Sequence, residues 1–302
     1  MTEAPALSID ICLCTFRRPQ LAATLRSLQA LRRPAGLRRL RVIVADNDTT
    51  ASARDLVAGF DSPALPVLYI HAPERNISVA RNACLDHASA DLVAWIDDDE
   101  TADPAWLLQL LATARQDRRD AVFGPAIARY PDGAPSHMVK GDFHSNRPVR
   151  RGGVVQTGHT CNALVDLRNP AFRALRFDLA KGRTGGEDTD YFHRLWALGA
   201  SLGICETAEV YEEVAPARLR PGWIIRRSFN AGNVFGGMAR RGAGAVRVVS
   251  LVGLAGLKAG YCFAVAALNV ASPTKRLWWA RRGVMHVGVA AGLMRVTPKA
   301  QY

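Results

Sequence analysis

Acidic residues are absent from the C-terminal part of the chain. Residues 214–302 contain 14 Lys and Arg side chains but no Asp or Glu, whereas residues 1–213 hold 25 basic and 27 acidic side chains. The formal net charge of +12 on this 302-residue chain therefore comes from a wholly basic segment that follows a nearly neutral body. A charge asymmetry of this kind concerns the partners of a protein rather than its fold.

Paired cysteines and a secretion signal are also lacking. The six cysteines form no C-x-x-C pair and have no His partner at zinc spacing, which argues against a zinc motif. Residues 1–10 are too short and too weakly apolar for a signal peptide. The hydrophobic content of 49% excludes a disordered chain. We therefore expect a globular protein of a reducing, cytosolic environment.

What the chain does have is a regular alternation of strands and helices. Apolar runs predict strands at 9–15, 40–45, 67–70 and 92–96. Helical spacing of apolar residues predicts helices at 21–31, about 53–60, from 76 or 78 to 87, and about 104–116. This order predicts an α/β fold with a mostly parallel sheet flanked by helices.

Four consecutive carboxylates, Asp97, Asp98, Asp99 and Glu100, follow the predicted strand at 92–96. Unscreened, these groups repel one another. Mg²⁺ or Mn²⁺ relieves such repulsion, and it is usually held by one or two carboxylates together with substrate phosphates. Ligands of open α/β sheets bind outside the carboxyl ends of the strands. We therefore predict a metal–diphosphate site here. Complementation of the next helix dipole is the alternative for Glu100.

A second acidic group opens a later predicted helix, which ends at Gly199. Glu187 and Asp188 lie in its first turn. The helix dipole favours acids at this end, and it also stabilises the ionised carboxylate, so the position alone does not make a strong base. A catalytic role and a purely helix-stabilising role both stay open.

Five segments, in this order, resemble the motifs of the family 2 inverting glycosyltransferases of GT-A fold. More narrowly, they resemble bacterial exopolysaccharide enzymes of the succinoglycan-assembly type. The segments are Cys14–Pro19, Val44–Asn47, Asn76–Asn82, Trp95–Glu100 and Thr184–Asp188. Each segment is a weak signal alone, but the ordered set is specific.

The resemblance implies a donor site in the first half of the chain. Thr15 would contact the uridine, and Asp46 would accept a hydrogen bond from the uracil ring. Arg75, Asn76 and Arg81 would line the nucleotide. Turn chemistry is the structural alternative for Asp46, and an ordinary solvated arginine is the alternative for Arg75.

The same resemblance implies the metal and base positions. Asp97 and Asp99 match the first and third positions of the family's D-x-D motif, as ligands of Mg²⁺ or Mn²⁺. Asp97 would also lie near the ribose, and both Asp97 and Asp98 would contact the nucleotide sugar. Asp188 would be the catalytic base, beside Glu187. The metal would neutralise charge on the leaving diphosphate, and the base would take the proton of the acceptor hydroxyl.

The implied function is an inverting transfer of one sugar from a UDP-sugar, such as UDP-glucose, to a lipid-linked oligosaccharide. The pathway would be exopolysaccharide or cell-surface glycan biosynthesis. Residues 1–120 would form the nucleotide-sugar-binding half of the GT-A domain. Residues 121–235 would form the acceptor-binding and catalytic-base half, and residues 236–302 a basic, apolar helical region that associates with membranes.

Three further positions are less defined by the resemblance. Processive members of the superfamily carry a Q-x-x-R-W motif that Gly222–Arg227 lacks, which indicates addition of a single sugar. Arg226 or Arg227 is a candidate for neutralising the departing diphosphate. His159 is a candidate acceptor contact, although a hydrogen-bonded structural histidine is the favoured interpretation.

Two other functions compete with this one. A nucleotidyltransferase on a similar sheet would normally carry a Gly-rich loop after the first strand, and Cys14–Pro19 contains no glycine. The remaining alternative is a membrane-bound scaffold with a degenerate site.

Residues 248–271 are apolar except for Ser250, Lys258 and Asn269, a length sufficient to span a bilayer. On a helix, these polar positions share one sector with Tyr261, and basic residues flank both ends, which fits a single span poorly. We predict a helix lying on anionic lipid at the cytoplasmic face of the bacterial inner membrane. A true span and a buried helix pair are the alternatives. Apolar runs between the basic groups argue against nucleic acid.

Overall fold

The structure, a computed structural model, describes residues 7–296, and the chain divides into two compact units. The first, called here the sheet unit, comprises the chain up to Ile127, Asn146–Arg183 and Glu187–Glu212. The second, called the helical unit, comprises Ala128–Ser145, Thr184–Gly186 and the chain from Glu213 onward.

Ten strands are present in the described residues. They are β1 (Leu7–Thr15), β2 (Leu37–Asp46), β3 (Val67–His71), β4 (Leu92–Ile96), β5 (Glu100–Ala102), β6 (Ala121–Phe123), β7 (Ala126–Arg129), β8 (Asn162–Asp166), β9 (Leu202–Ile204) and β10 (Val210–Glu213). Seven of them form the main sheet of the sheet unit, in the order β3-β2-β1-β4-β8-β6-β9. β5 and β10 pair antiparallel beside it.

Ten α-helices accompany these strands in the described residues. They are α1 (Leu21–Gln29), α2 (Arg54–Ala58), α3 (Ile77–His87), α4 (Trp106–Gln116), α5 (Ser136–Gly141), α6 (Pro170–Ala174), α7 (Glu187–Ala197), α8 (Pro221–Arg240), α9 (Ala245–Leu268) and α10 (Pro273–Leu293). The predicted α/β fold, with a mostly parallel sheet, flanking helices and a C-terminal helical extension, is confirmed.

The main sheet is buried on both faces, which explains the near-continuous apolar strands. In β1, Ile9, Ile11 and Leu13 face one core, which they share with leucines of α1 and α4. Cys12 faces the opposite core, which contains residues of α3 and α7. Alternate side chains of a strand point to opposite faces, so a strand covered on both faces is apolar at every position. The six cysteines, all within the described residues, are free.

Two details of the sheet unit differ from the prediction. β8 runs antiparallel to both of its neighbours, β4 and β6, a direction that hydrophobic periodicity does not encode. α4 begins at Trp106 rather than near residue 104, because the Asp103 carboxylate accepts a hydrogen bond from the Ala105 N–H and forms a turn first. The start of α3 is as predicted, since the side chain of Asn76 caps it by accepting the Ser78 N–H at 3.0 Å.

The helical unit is held together by glycines on two facing helices. Gly232 and Gly236 of α8 lie one turn apart, as do Gly288 and Gly292 of α10. A Cβ atom added at any of the four would come within 1.9–2.2 Å of a backbone oxygen of the other helix. The backbones of α8 and α10 therefore touch directly, as in the small-xxx-small pairs of closely packed helices.

The third long helix of this unit, α9, packs with a stripe of small residues. Ala255, Ala259, Cys262 and Ala266 are buried, whereas larger apolar side chains such as Leu257 remain exposed. α9 is also the single helix among residues 7–296 that is long and apolar enough to cross a membrane by length and composition, with a mean hydropathy of 1.8. A fully buried helix pair, one of the predicted alternatives, is therefore wrong for α9.

Candidate active site

The acidic run lies at the carboxyl end of β4, where β1 and β2 also end. Thr15 pairs with Asp46 in the β1–β2 register, and Cys12 pairs with Trp95 in the β1–β4 register. Continuing the second register brings Thr15 level with Asp98. A tight turn follows β4, in which Glu100 accepts a hydrogen bond from the Asp97 N–H at 3.0 Å. Three strand ends therefore deliver the predicted residues to one edge of the sheet.

The carboxylates of this run are shielded from water to different degrees. The Asp97 side chain is 43% exposed, those of Asp98 and Asp99 are 10% and 15% exposed, and Glu100 is buried. Although Asp97 is partly exposed, the protein that surrounds its carboxylate limits hydration and, with the nearby Asp99, raises its pKa to about 7 against the opposing effect of Arg81. Burial likewise raises the pKa of Asp98 to about 7 and that of Glu100 well above its usual range. The nearby basic side chains therefore do not fully neutralise these carboxylates.

Two buried polar groups of this edge, the hydroxyl of Thr15 and the carboxylate of Asp98, have few partners. Neither the Thr15 hydroxyl nor Oδ2 of Asp98 makes a well-formed hydrogen bond among residues 7–296, although the nearby Thr15 hydroxyl acts to lower the pKa of Asp98. A buried polar atom without a partner is costly, so such atoms mark positions that a ligand can satisfy. Both atoms belong to residues predicted to touch the nucleotide sugar.

One cation approaches the run from the loop after β1. The guanidinium of Arg18 lies 3.7 Å from Asp98 and 3.6 Å from Asp99, and its side chain is 44% exposed. Solvent screens an exposed pair of this kind, which therefore contributes little to stability. Arg18 is a functional candidate that sequence reasoning missed, although its position directly after the first strand was a usable signal.

Arg81 of α3 links the acidic run to the start of α7. Its guanidinium donates a hydrogen bond to Glu187 and lies 4.0 Å from Asp97. Burial alone would lower the pKa of Arg81, but Glu187, Asp188 and Asp97 more than reverse that effect, and the pKa is raised. Arg81 and Glu187 are both buried, so in this structure Arg81 is an internal counter-charge between two groups of carboxylates.

Asp188, the predicted base, contacts a histidine. Oδ2 of Asp188 lies 2.9 Å from Nδ1 of His159, and Oδ1 accepts the Thr189 N–H at 2.6 Å. Burial would raise the pKa of Asp188, but His159, followed by Arg81, holds it below its usual range. For the neighbouring Glu187, burial outweighs Arg81 and the pKa is raised. Asp188 is therefore ionised, and its affinity for a proton depends on His159.

Asp46, a predicted nucleotide contact, forms several hydrogen bonds within the sheet unit. Asp46 is fully buried and accepts hydrogen bonds from the N–H groups of Asp48 and Ala53 and from the hydroxyl of Tyr69. These bonds are turn chemistry, the structural alternative for this residue. The uracil contact of Asp46 therefore stays a prediction.

Asn76 and Arg75 occupy the segment before α3. Asn76 is buried, caps α3 and donates a hydrogen bond to the Leu179 carbonyl at 3.0 Å. Arg75 is exposed, has a left-handed backbone with φ of 47°, and lies 5.2 Å from the ring centre of Phe16. A left-handed non-glycine residue is strained and is found in loops that a surrounding structure holds in place. Their nucleotide contacts also stay predictions.

The residues of the run fit a divalent cation that is completed by substrate. No group of three Asp, Glu, His or Cys side chains within residues 7–296 could hold a metal ion without further ligands. Asp97 and Asp99 supply two carboxylates, the number that Mg²⁺ usually takes from protein when phosphate oxygens provide the rest. The raised pKa values of Asp97 and Asp98 indicate that a cation would relieve the repulsion at this edge.

Arg226 and Arg227 belong to α8 in the helical unit. The guanidinium of Arg227 lies 5.2 Å from the ring centre of Trp223 in the same helix. Their suggested role in neutralising the diphosphate stays a prediction.

Comparison with known proteins supports this fold and identifies the family of the chain. The model of the family "Glycosyl transferase family 2" matches residues 10–175. The succinoglycan biosynthesis protein ExoM of Rhizobium meliloti is 44% identical over 298 residues, which cover 98% of this chain and 96% of that protein. Validoxylamine A glucosyltransferase of Streptomyces hygroscopicus is 29% identical over 194 residues, 60% of this chain and 42% of that protein.

A solved structure shares the architecture at low sequence identity. The mannosyltransferase PcManGT of Pyrobaculum calidifontis, solved with GDP-mannose and Mn²⁺, superposes with a TM-score of 0.65 and 17% identity. The match covers 97% of this chain and 89% of that structure. The superposition shows a GT-A-like architecture, and the family match defines the class as glycosyltransferase. Since the family match covers more than half of the residues, the chain belongs to glycosyltransferase family 2.

Proposed function

We propose that this glycosyltransferase transfers a single sugar, with inversion, from a UDP-sugar to a lipid-linked oligosaccharide in exopolysaccharide assembly, and that it requires Mg²⁺ or Mn²⁺. The observation that carries the proposal is the placement of the acidic run and of Asp188 in one unit, with Arg81 between them. Asp97 lies 4.0 Å from Arg81, and Arg81 donates a hydrogen bond to Glu187, the residue before Asp188.

The donor side of the reaction requires charge neutralisation. Asp97 and Asp99 would hold the metal, which supplies positive charge to the diphosphate of the donor when bound. Arg18, 3.6 Å from Asp99 and partly exposed, would contact the same diphosphate. The buried Thr15 hydroxyl and Asp98 Oδ2 would form hydrogen bonds with the nucleotide sugar.

The acceptor side requires removal of a proton from a hydroxyl group. Asp188 would accept this proton as the acceptor oxygen attacks the anomeric carbon, while His159 fixes the orientation of the carboxylate through Nδ1. Single displacement on the face opposite the diphosphate inverts the anomeric configuration, so the residues of the site need supply no covalent nucleophile. The succinoglycan relative and the glucosyltransferase relative support the exopolysaccharide role and a hexose donor.

A transfer assay with a matched pair of variants tests the metal site. Asp99→Asn removes a proposed metal ligand, and we expect transfer to fall about 100-fold or more. Asp103→Asn is the control, because the amide oxygen can still accept the Ala105 N–H that Asp103 binds now. EDTA should abolish transfer, and Mn²⁺ or Mg²⁺ should restore it. Full activity of Asp99→Asn, or activity in EDTA, would contradict the proposal.

The nucleotide is tested by thermal unfolding with a panel of UDP- and GDP-sugars. A donor at about 100 times its Kd stabilises a protein by about 2.7 kcal/mol, so the true donor raises the midpoint in a metal-dependent manner. If GDP-mannose alone stabilises the protein, the donor is GDP-mannose and the UDP-sugar part of the proposal is wrong. Absence of stabilisation by every nucleotide sugar would favour a degenerate scaffold.

We also propose that the helical unit attaches the protein to the cytoplasmic face of the bacterial inner membrane. The support is the exposed apolar surface of α9 beside a segment that carries only positive charge. An alkaline carbonate wash of membranes tests the mode of attachment. Release into the wash is expected for a helix lying on the lipid, and retention would indicate a membrane span.

A further inference from the structure

A groove of about 400 Å³ lies between α9 and α10 in the helical unit. Its lining combines apolar and basic side chains: Leu257, Lys258, Tyr261, Cys262, Trp279, Arg282 and His286. No part of the proposed transferase reaction uses this groove. Its composition points to a ligand that is itself apolar at one end and anionic at the other.

The basic side of the groove gathers three nitrogen-bearing side chains from two helices. Lys258, Arg282 and His286 all line the groove. Burial lowers the pKa of His286, and the charges of Lys258 and Arg282 lower it further. Within residues 7–296, neither Lys258 nor Arg282 forms an ion pair with a carboxylate. Three convergent nitrogen donors without an acidic partner match the oxygen atoms of a phosphate group.

The apolar side of the groove is open to the surroundings. Leu257 is 75% exposed and Tyr261 is 63% exposed. The ring of Tyr261 meets that of Trp279 edge-to-face, with 5.7 Å between the centroids, and the guanidinium of Arg282 lies 4.7 Å from the centre of the Trp278 ring. Aromatic rings beside cations are typical of side chains at a membrane–water interface. Free phosphate would leave this apolar wall uncovered.

We propose that the groove between α9 and α10 binds the phosphate headgroup of an anionic membrane phospholipid. Lys258, Arg282 and His286 contact the phosphate, and Leu257 and Tyr261 lie along the acyl chains. Charge complementarity selects this occupant, because the segment 214–302 contains no acidic residue and an anionic bilayer offers both parts of the ligand. The inference rests on the proposed membrane attachment and assigns it a specific site.

Vesicle flotation with the full-length protein tests the site. Vesicles of phosphatidylcholine with and without phosphatidylglycerol are compared for wild type and two double variants. Lys258→Gln with Arg282→Gln removes the groove cations, and Lys275→Gln with Arg276→Gln removes the same charge from exposed positions of α10 outside the groove. A non-specific surface charge contributes about fivefold to binding, whereas a charge-assisted hydrogen bond contributes about tenfold or more.

We expect the groove pair to weaken binding to phosphatidylglycerol vesicles at least about fourfold more than the control pair, the ratio that two such contributions give. Equal losses in the two pairs would overturn the site, and so would stabilisation of the wild type by inorganic phosphate to the extent that vesicles produce. Donor-dependent thermal stabilisation, measured without lipid in the same proteins, reports on the transferase site alone. If the wild type binds lipid but shows no stabilisation by any donor, the result would count against the transferase proposal and would not affect the lipid site.

Discussion

Two adjacent glycines of α8 allow a sharp test of the helix contact in the helical unit. A Cβ at Gly236 would lie 2.1 Å from the Val289 carbonyl oxygen and 2.9 Å from the Leu293 nitrogen, whereas a Cβ at Gly237 meets nothing within 4 Å. Both Gly→Ala changes gain about 0.8–1 kcal/mol of helix propensity. Gly237→Ala should therefore raise the free energy of unfolding by up to about 1 kcal/mol.

Gly236→Ala gains the same helix propensity, but its added Cβ forces the backbones of α8 and α10 apart. The atoms it meets belong to the main chain and cannot rotate away, and overpacking of this kind typically costs about 1–3 kcal/mol or more. We therefore expect Gly236→Ala to be less stable than Gly237→Ala by about 1–3 kcal/mol, a difference of several degrees in the thermal midpoint. Circular dichroism melts of both variants measure it. Equal midpoints would refute direct backbone contact between α8 and α10.

Three further predictions concern the sheet unit. Arg81→Met leaves Glu187 buried without its partner and should lower the free energy of unfolding, measured in urea, by about 3–5 kcal/mol. The double variant Arg81→Met with Glu187→Gln should recover much of that loss. Absence of recovery would argue against a stabilising Arg81–Glu187 ion pair. His159→Ala removes the group that lowers the pKa of Asp188 most, so the acid limb of kcat/KM should move to higher pH; an unchanged limb would exclude Asp188 as the base. Arg18→Gln should raise the KM for the donor about tenfold, measured at saturating acceptor, and an unchanged KM would remove Arg18 from the diphosphate site.

The sequence was sufficient to predict the local elements of the sheet unit. The apolar run of β4 and the polar turn after it are encoded within a few residues, and so is the cap of α3 at Asn76. The strand ends then met at one edge because parallel strands must end on the same side. The acidic run and its position at that edge were predictable for this reason.

Pairings between distant residues were not predictable in the same way. Arg81 and Glu187 are 106 positions apart, and His159 and Asp188 are 29 apart. Hydrophobic periodicity reports which face of an element is buried, but it does not report which polar side chains the fold brings together. The resemblance to a family indicates Asp188 as a candidate base, whereas its contact with His159 depends on the tertiary fold.

The place of β8 in the sheet has a consequence for synthesis of the chain. β4 and β6 are translated early but do not pair with each other, because β8, which is made some 40 residues after β6, lies between them. Until residue 166 has left the ribosome, the apolar edge of β4 stays open, and an open edge of this kind invites pairing with other chains. The same strand begins at Asn162, three residues after His159, so the strand that closes this edge also anchors the segment that carries the histidine, whereas its partner Asp188 follows later in the chain. A nascent chain truncated before β8 should therefore be aggregation-prone.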